Sequence, residues 1–120
     1  VLFPDYVRYS DLPTLYKGAA AFFFPSIYEG FGLPVLEALS FNVPIAISNV
    51  TSLPEIAGEA ALKFDPNIPE DIANQIIRLL EDSDLKENLK RLGNERIKSF
   101  TWEETAKKTL DVYRSLGASS

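Results

Sequence analysis

Residues 21–49 read AFFFPSIYEGFGLPVLEALSFNVPIAISN, and this stretch decides the fold. Ala21–Pro25 is a short, continuous apolar run rich in phenylalanine. Such a run favours a strand buried on both faces, as in a parallel sheet. Ser26–Gly32 follows as a loop with two glycines. Leu33–Phe41 carries Pro34 in its first turn and good helix formers after it, so a helix is expected. Asn42 sits where that helix must stop, and asparagine tolerates the left-handed backbone of a helix end. Pro44–Ser48 is a second short apolar strand. Strand, loop, helix and strand in this order make one crossover unit of a parallel sheet.

The alternation continues outward. Val1–Val7 reads as a strand, which Pro4 demotes toward an edge or a bulge. Ser10 and Asp11 ahead of Leu12 and Pro13 signal a helix start, and Leu12, Leu15, Tyr16 and Ala19 form one buried face. Leu53–Ala57 looks like one helical turn ended by Gly58, and Ala60–Asp65 like a last short strand. Helices are expected over Pro69–Glu81, with a stripe of Ala73, Ile76, Ile77 and Leu80, and over Asp84–Ser99, with Leu85, Leu89 and Leu92. Thr101-Trp102-Glu103-Glu104 is a capping box opening a final helix. The expected class is α/β: a Rossmann-like parallel sheet of about four short strands with crossover helices over residues 1–65. A helical part over 69–116 follows.

Composition narrows the chemistry. The chain has 120 residues, enough for one small domain, and its 46% hydrophobic and 24% charged content excludes disorder. With no cysteine and no histidine, disulfides, thiolate or imidazole zinc sites and a Ser-His-Asp triad are excluded within it. A net charge of -5 argues against a nucleic-acid partner. No apolar run approaches the ~20 residues that span a bilayer. The chain opens on Val1 rather than methionine, so it is expected to begin inside a longer protein.

Ligands of doubly wound sheets sit outside the carboxyl ends of the strands, where the loop Pro25–Gly32 lies. Gly30 and Gly32 let backbone approach a ligand without an intervening side chain. The helix beginning at Leu33 points free amides and its positive end there, which suits a phosphate or diphosphate. Two acids frame the loop. Glu29 precedes the glycines, and Glu37 lies about one turn inside the helix, roughly 6 Å along its axis. Carboxylates accept hydrogen bonds from neighbouring hydroxyls, so sugars are their sensible partners. One acid for a ribose and one for a second sugar, with a diphosphate between, make a nucleotide-sugar site.

PSIYEGFGLPVLEAL, then SLPEIAG, resembles the retaining GT-B glycosyltransferases of family 4, the glycosyl transferases group 1. Their signature is two glutamates separated by seven residues, matched by Glu29 and Glu37. The DLPTLY helix, the AALKFDP strand and FTWEETA fit as well, so the resemblance covers nearly the whole chain. It implies that Glu29 is the catalytic residue and contacts the hydroxyls of the donor sugar. It further implies that Gly30, Phe31, Gly32 and Leu33 meet the sugar and diphosphate, that Glu37 holds the ribose, and that Val7 lies near the base. Asn42 departs from the glycine usual before the next strand.

The implied reaction moves a sugar, with retention, from a UDP-, GDP- or ADP-sugar to a glycan or lipid-linked acceptor. The implied site needs no metal or other cofactor. The setting would be cytoplasmic, or peripheral at the inner face of the membrane. Family members also carry an N-terminal acceptor domain and two earlier strands with a basic pair, which these residues do not include. The chain would then be a partial nucleotide-sugar-binding domain, inactive alone. A strand edge would be left for re-pairing, for the helices, or for self-association with a partner chain.

Other readings remain open. Glu29 and Glu37 could meet the ~5–9 Å separation of a two-carboxylate glycoside hydrolase. The chain could also be a non-catalytic binding module. Asn49-Val50-Thr51 fits a glycosylation sequon but reads as turn. The lysines and arginines of 86–98 read as a solvated helix face, with contact to anionic lipid as the alternative.

Overall fold

Ile45–Ser48 (β2) is the centre of the molecule, and all four of its residues are buried. The computed structural model describes residues 1–28, 31–100, 107, 110–112 and 114. Phe22–Phe24 (β1) and Ala61–Phe64 (β3) flank β2, both parallel to it, in the order β1-β2-β3. Phe22 lies opposite Ile45, and Ile45 opposite Ala61. Three consecutive phenylalanines suit this place because both faces of the sheet are covered. Phe22 and Phe24 pack on one side with Ile45 and Ile47, while Phe23 packs on the other with Ala46.

Helices supply the two covers. Leu33–Ser40 (α2) and Leu53–Ala57 (α3) bury Val35, Ala38, Leu39, Leu53 and Ile56 over the first face. Pro69–Glu81 (α4) puts Leu79 on the second face beside Phe64. Ser83–Ile97 (α5) serves both, because Leu89 joins the second cluster while Leu92 and Ile97 pack on the first. The Asp82 carboxylate starts α5 by accepting from the Leu85 amide at 2.9 Å.

Asn42 ends α2 as expected, at φ 60°. Its amide donates to the Leu39 carbonyl at 3.0 Å and that of Val43 to Ala38 at 3.1 Å, the paired bonds of a Schellman end. Gly93 lets α5 approach α2 closely. A Cβ built there would stand 2.9 Å from Leu39 Cδ2, and Leu39 is itself packed in the core.

Two expectations change. Val1–Val7 forms no strand, and the sheet among the described residues has three strands rather than about four. A strand exists through its ladder, and this segment has no partner; Leu2, Phe3 and Tyr6 are exposed. Leu12–Gly18 (α1) forms as expected after a 3-10 turn at Tyr9–Asp11, but it buries no residue. Leu12, Leu15, Tyr16 and Ala19 instead border an open hollow beside Phe22, on the outer edge of β1. That edge pairs with no further strand among the described residues. Asp11 immediately precedes α1 without capping it with its side chain, since its carboxylate accepts from Arg8 Nε at 3.0 Å. The capping box at 101–104, with Trp102, lies outside the described residues.

The two glycines of α1 and α5 separate packing from propensity. Gly93→Ala is expected to destabilise the protein by about 1–3 kcal/mol through overpacking against Leu39. Gly18, with nothing within 4 Å of a built Cβ, should tolerate alanine with no loss. Urea unfolding of the two variants checks the contrast.

Candidate functional site

The carboxyl ends of β1 and β2 are tied together before any loop begins. Ser48, fully buried at the end of β2, donates its hydroxyl to the Phe24 carbonyl at 3.1 Å. The chain then leaves β1 through Pro25, and Ser26 Oγ donates to the Tyr28 carbonyl at 2.8 Å, forming a local turn. Glu29 and Gly30 lie outside the described residues.

The loop re-enters order at Gly32, the residue preceding α2, with φ 76° and ψ 44°. This left-handed backbone favours glycine, and space requires it as well. A Cβ on Gly32 would stand 2.7 Å from Leu53 Cδ2 and 3.5 Å from Ile56 Cδ1. The loop backbone therefore rests directly on α3, whose Leu53 and Ile56 belong to the core. Phe31 and Leu33, on either side, point outward at 51% and 60% exposure. The Val35 amide turns back to the Gly32 carbonyl at 3.0 Å, and Pro34 has no amide hydrogen. The first turn of α2 thus sets a positive helix end beside an outward-facing loop.

Glu37 is half-buried on α2, and its carboxylate has a partner that sequence reading missed. The Tyr16 hydroxyl donates to Glu37 Oε2 at 3.0 Å, across 21 positions. Tyr16 is held by aromatic contacts: its ring stacks on Phe41 at 5.4 Å and leans on Phe22 at 5.8 Å. Burial, then the hydrogen bond to Glu37 and its negative charge, push the Tyr16 hydroxyl up to about 12. Tyr9, Leu12, Pro13 and Phe41 complete a small pocket of about 90 Å³ around the pair. The sequence shows Tyr16 only as one member of an apolar stripe, and nothing in that pattern reports the direction of its hydroxyl.

Val7 lies elsewhere, in a hollow of about 330 Å³ with Pro4, Tyr6, Asp11, Thr14 and Leu15. The structure thus brings Phe31, Gly32 and Leu33 together at the start of α2 with Glu37 one turn behind them, while Val7 borders a different hollow from that of Glu37. A second residue without a sequence signal is Arg96, from the last turn of α5. Its Nε donates to the Ile56 carbonyl at 2.8 Å, beneath the same loop.

Known proteins are similar to this chain in sequence and in fold. The family described as glycosyl transferases group 1 matches residues 1–96. The O-antigen chain mannosyltransferase B of Escherichia coli is 46% identical over 111 residues, covering 92% of this chain and 29% of that protein. A serotype-specific mannosyltransferase, WbdA, also of Escherichia coli, is 35% identical over 120 residues, covering 100% of this chain and 15% of that one. The solved structure of sucrose-phosphate synthase from Thermosynechococcus elongatus superposes with a TM-score of 0.85 at 32% identity. It covers 100% of this chain and 31% of that one. The chain therefore spans less than a third of each of these relatives.

Two outcomes follow from the geometry of the loop and the Tyr16–Glu37 pair. Gly32→Ala places a side chain against Leu53 in a backbone that opposes it, and should cost about 1–3 kcal/mol by urea unfolding. The second concerns pH. Tyr16 holds its proton up to about 12 in the folded state against an ordinary value of 10.0. The unfolded chain loses that proton first, so the contribution is whole below pH 10 and is lost as pH rises toward 12. Stability measured against pH should fall more steeply through that window in the native protein than in Tyr16→Phe. Equal slopes would remove the link.

Proposed function

This chain belongs to the glycosyl transferases group 1, and we propose that it supplies the nucleotide-sugar side of a glycosyl transfer site. The observation that carries the reading is Gly32. Its left-handed backbone, with no room for a side chain, sets the start of α2 at the carboxyl end of β1. A diphosphate is the ligand such a helix start accommodates, and amides with the helix dipole meet its charge without a metal. In this reading Glu37 takes the ribose hydroxyls, Phe31 to Leu33 line the diphosphate and sugar, Val7 approaches the base, and Glu29 with Gly30 meets the donor sugar. The Tyr16 hydrogen bond orients one oxygen of Glu37 and leaves the other for a ligand, which suits a binding carboxylate better than a hydrolytic acid.

In the reaction, the bond between the anomeric carbon and the donor's diphosphate oxygen breaks, and the diphosphate leaves with the electron pair. A bond forms to an acceptor hydroxyl oxygen, whose proton is released. Retention of configuration follows the family resemblance. Mannose is the favoured sugar because two of the three relatives just described are named as mannosyltransferases, and a growing polysaccharide is the favoured acceptor because one is named for the O-antigen chain. Among the described residues no helix is long and apolar enough to cross a membrane.

Calorimetric titration of the full-length protein with GDP-, UDP- and ADP-mannose tests the reading. One donor should bind, and Glu37→Ala should weaken it about tenfold or more, the effect of losing hydrogen bonds to a charged group. The corresponding 2′,3′-dideoxy nucleotide should bind the native protein weakly and should not distinguish it from Glu37→Ala. Full donor affinity in Glu37→Ala would sink the assignment.

A further inference from the structure

We infer that Arg96 is a positioning residue for the glycine loop, acting from α5 through the carbonyl end of α3. The inference rests on the donor-site reading for its consequence, and on contacts outside that site for its cause. α3 has only five residues, too few to be stable alone, and its last carbonyls lack intrahelical partners. One guanidinium takes two of them. Arg96 Nε donates to the Ile56 carbonyl at 2.8 Å, and an Nη donates to that of Glu55.

Arg96 is itself held in place. Its guanidinium carbon lies 5.0 Å from the centre of the Phe100 ring. On its other side is Gly58, where a built Cβ would approach Arg96 Nε to 3.5 Å. Ile56 is the shared part. Its carbonyl accepts from Arg96, while its side chain lies with that of Leu53 under Gly32. A shift of α3 therefore moves the surface on which the loop backbone rests. α5 also touches α2 where Gly93 meets Leu39, so one helix references both supports of the loop.

Removing Arg96 leaves α5 docked. Leu89 stays buried, and Leu92 and Ile97 keep their packing. What is lost is the tether on α3. Lysine would restore the charge but not the planar fork that spans two carbonyls.

The test compares Arg96→Ala, Arg96→Lys and, as control, Arg91→Ala in the full-length protein. Arg91 sits on the same helix and pairs with Glu95 at 3.3 Å on an exposed face. Arg96→Ala should raise donor Kd and KM about tenfold while kcat stays within about twofold, and Arg96→Lys should recover part of the loss. Arg91→Ala should match the native protein. An unchanged donor Kd in Arg96→Ala, or a kcat that falls with the folded fraction at constant KM, would overturn the inference. Hydrogen exchange separates it from the donor reading. If the native protein binds no nucleotide sugar, that reading fails, and the amides of 31–33 and 35 decide the positioning role. They should exchange faster in Arg96→Ala than in Arg91→Ala, and equal exchange would remove that role.

Discussion

The close approach of the Gly32 backbone to Leu53 and Ile56 is the constraint on which the site depends. At 2.7 Å between a built Cβ and Leu53 Cδ2, no side chain fits between loop and helix. Leu53 and Ile56 are core residues packed with Ile45 and Ile47 of the central strand. The loop is therefore referenced to the sheet through one layer of side chains. Dense packing resists small displacements, so a loop seated on buried Gly32 holds its amides in fixed positions while Phe31 and Leu33 stay exposed. The left-handed turn at Gly32 and the right-handed helix after it are then one structural decision.

Electrostatics add a second layer of order. A carboxylate on a half-buried helix face needs a donor, and Glu37 finds one in Tyr16 rather than in a basic side chain. A neutral donor leaves the negative charge in place, available to a ligand. The cost is carried by Tyr16, whose hydroxyl is harder to ionise beside that charge. Among the described residues no buried side-chain polar atom lacks a partner, so this pair belongs to a fully satisfied interior.

α5 connects the two sides of the sheet. It closes the second core through Leu89, approaches α2 at Gly93, and reaches α3 with Arg96. Local helix propensity does not select such a course. It requires a glycine at one contact and a long, forked cation at the other, three positions further on.

Much of this was legible in the chain. Apolar runs at 21–25 and 44–48, with glycines and a proline-led helix between them, point to a parallel crossover unit, because a helix that crosses back over the sheet covers one face of both strands. Asn42 as a left-handed helix end and Gly58 as the end of α3 follow from local backbone chemistry, which the residue types state directly. Gly32 was readable for the same reason, as a place where the chain needs backbone without a side chain. Val1–Val7 was misread because its composition is that of a strand while a strand is made by its neighbour. The face of α1 is only partly buried, with Tyr16 packed on Phe22 and Phe41 and Leu15 exposed, because an amphipathic pattern says which face is apolar, not whether anything covers it. Tyr16 with Glu37, and Arg96 with α3, were decided only by the tertiary structure. These hydrogen bonds join positions 21 and 40 residues apart, and a contact between single polar atoms at such separations leaves no period or motif in the sequence.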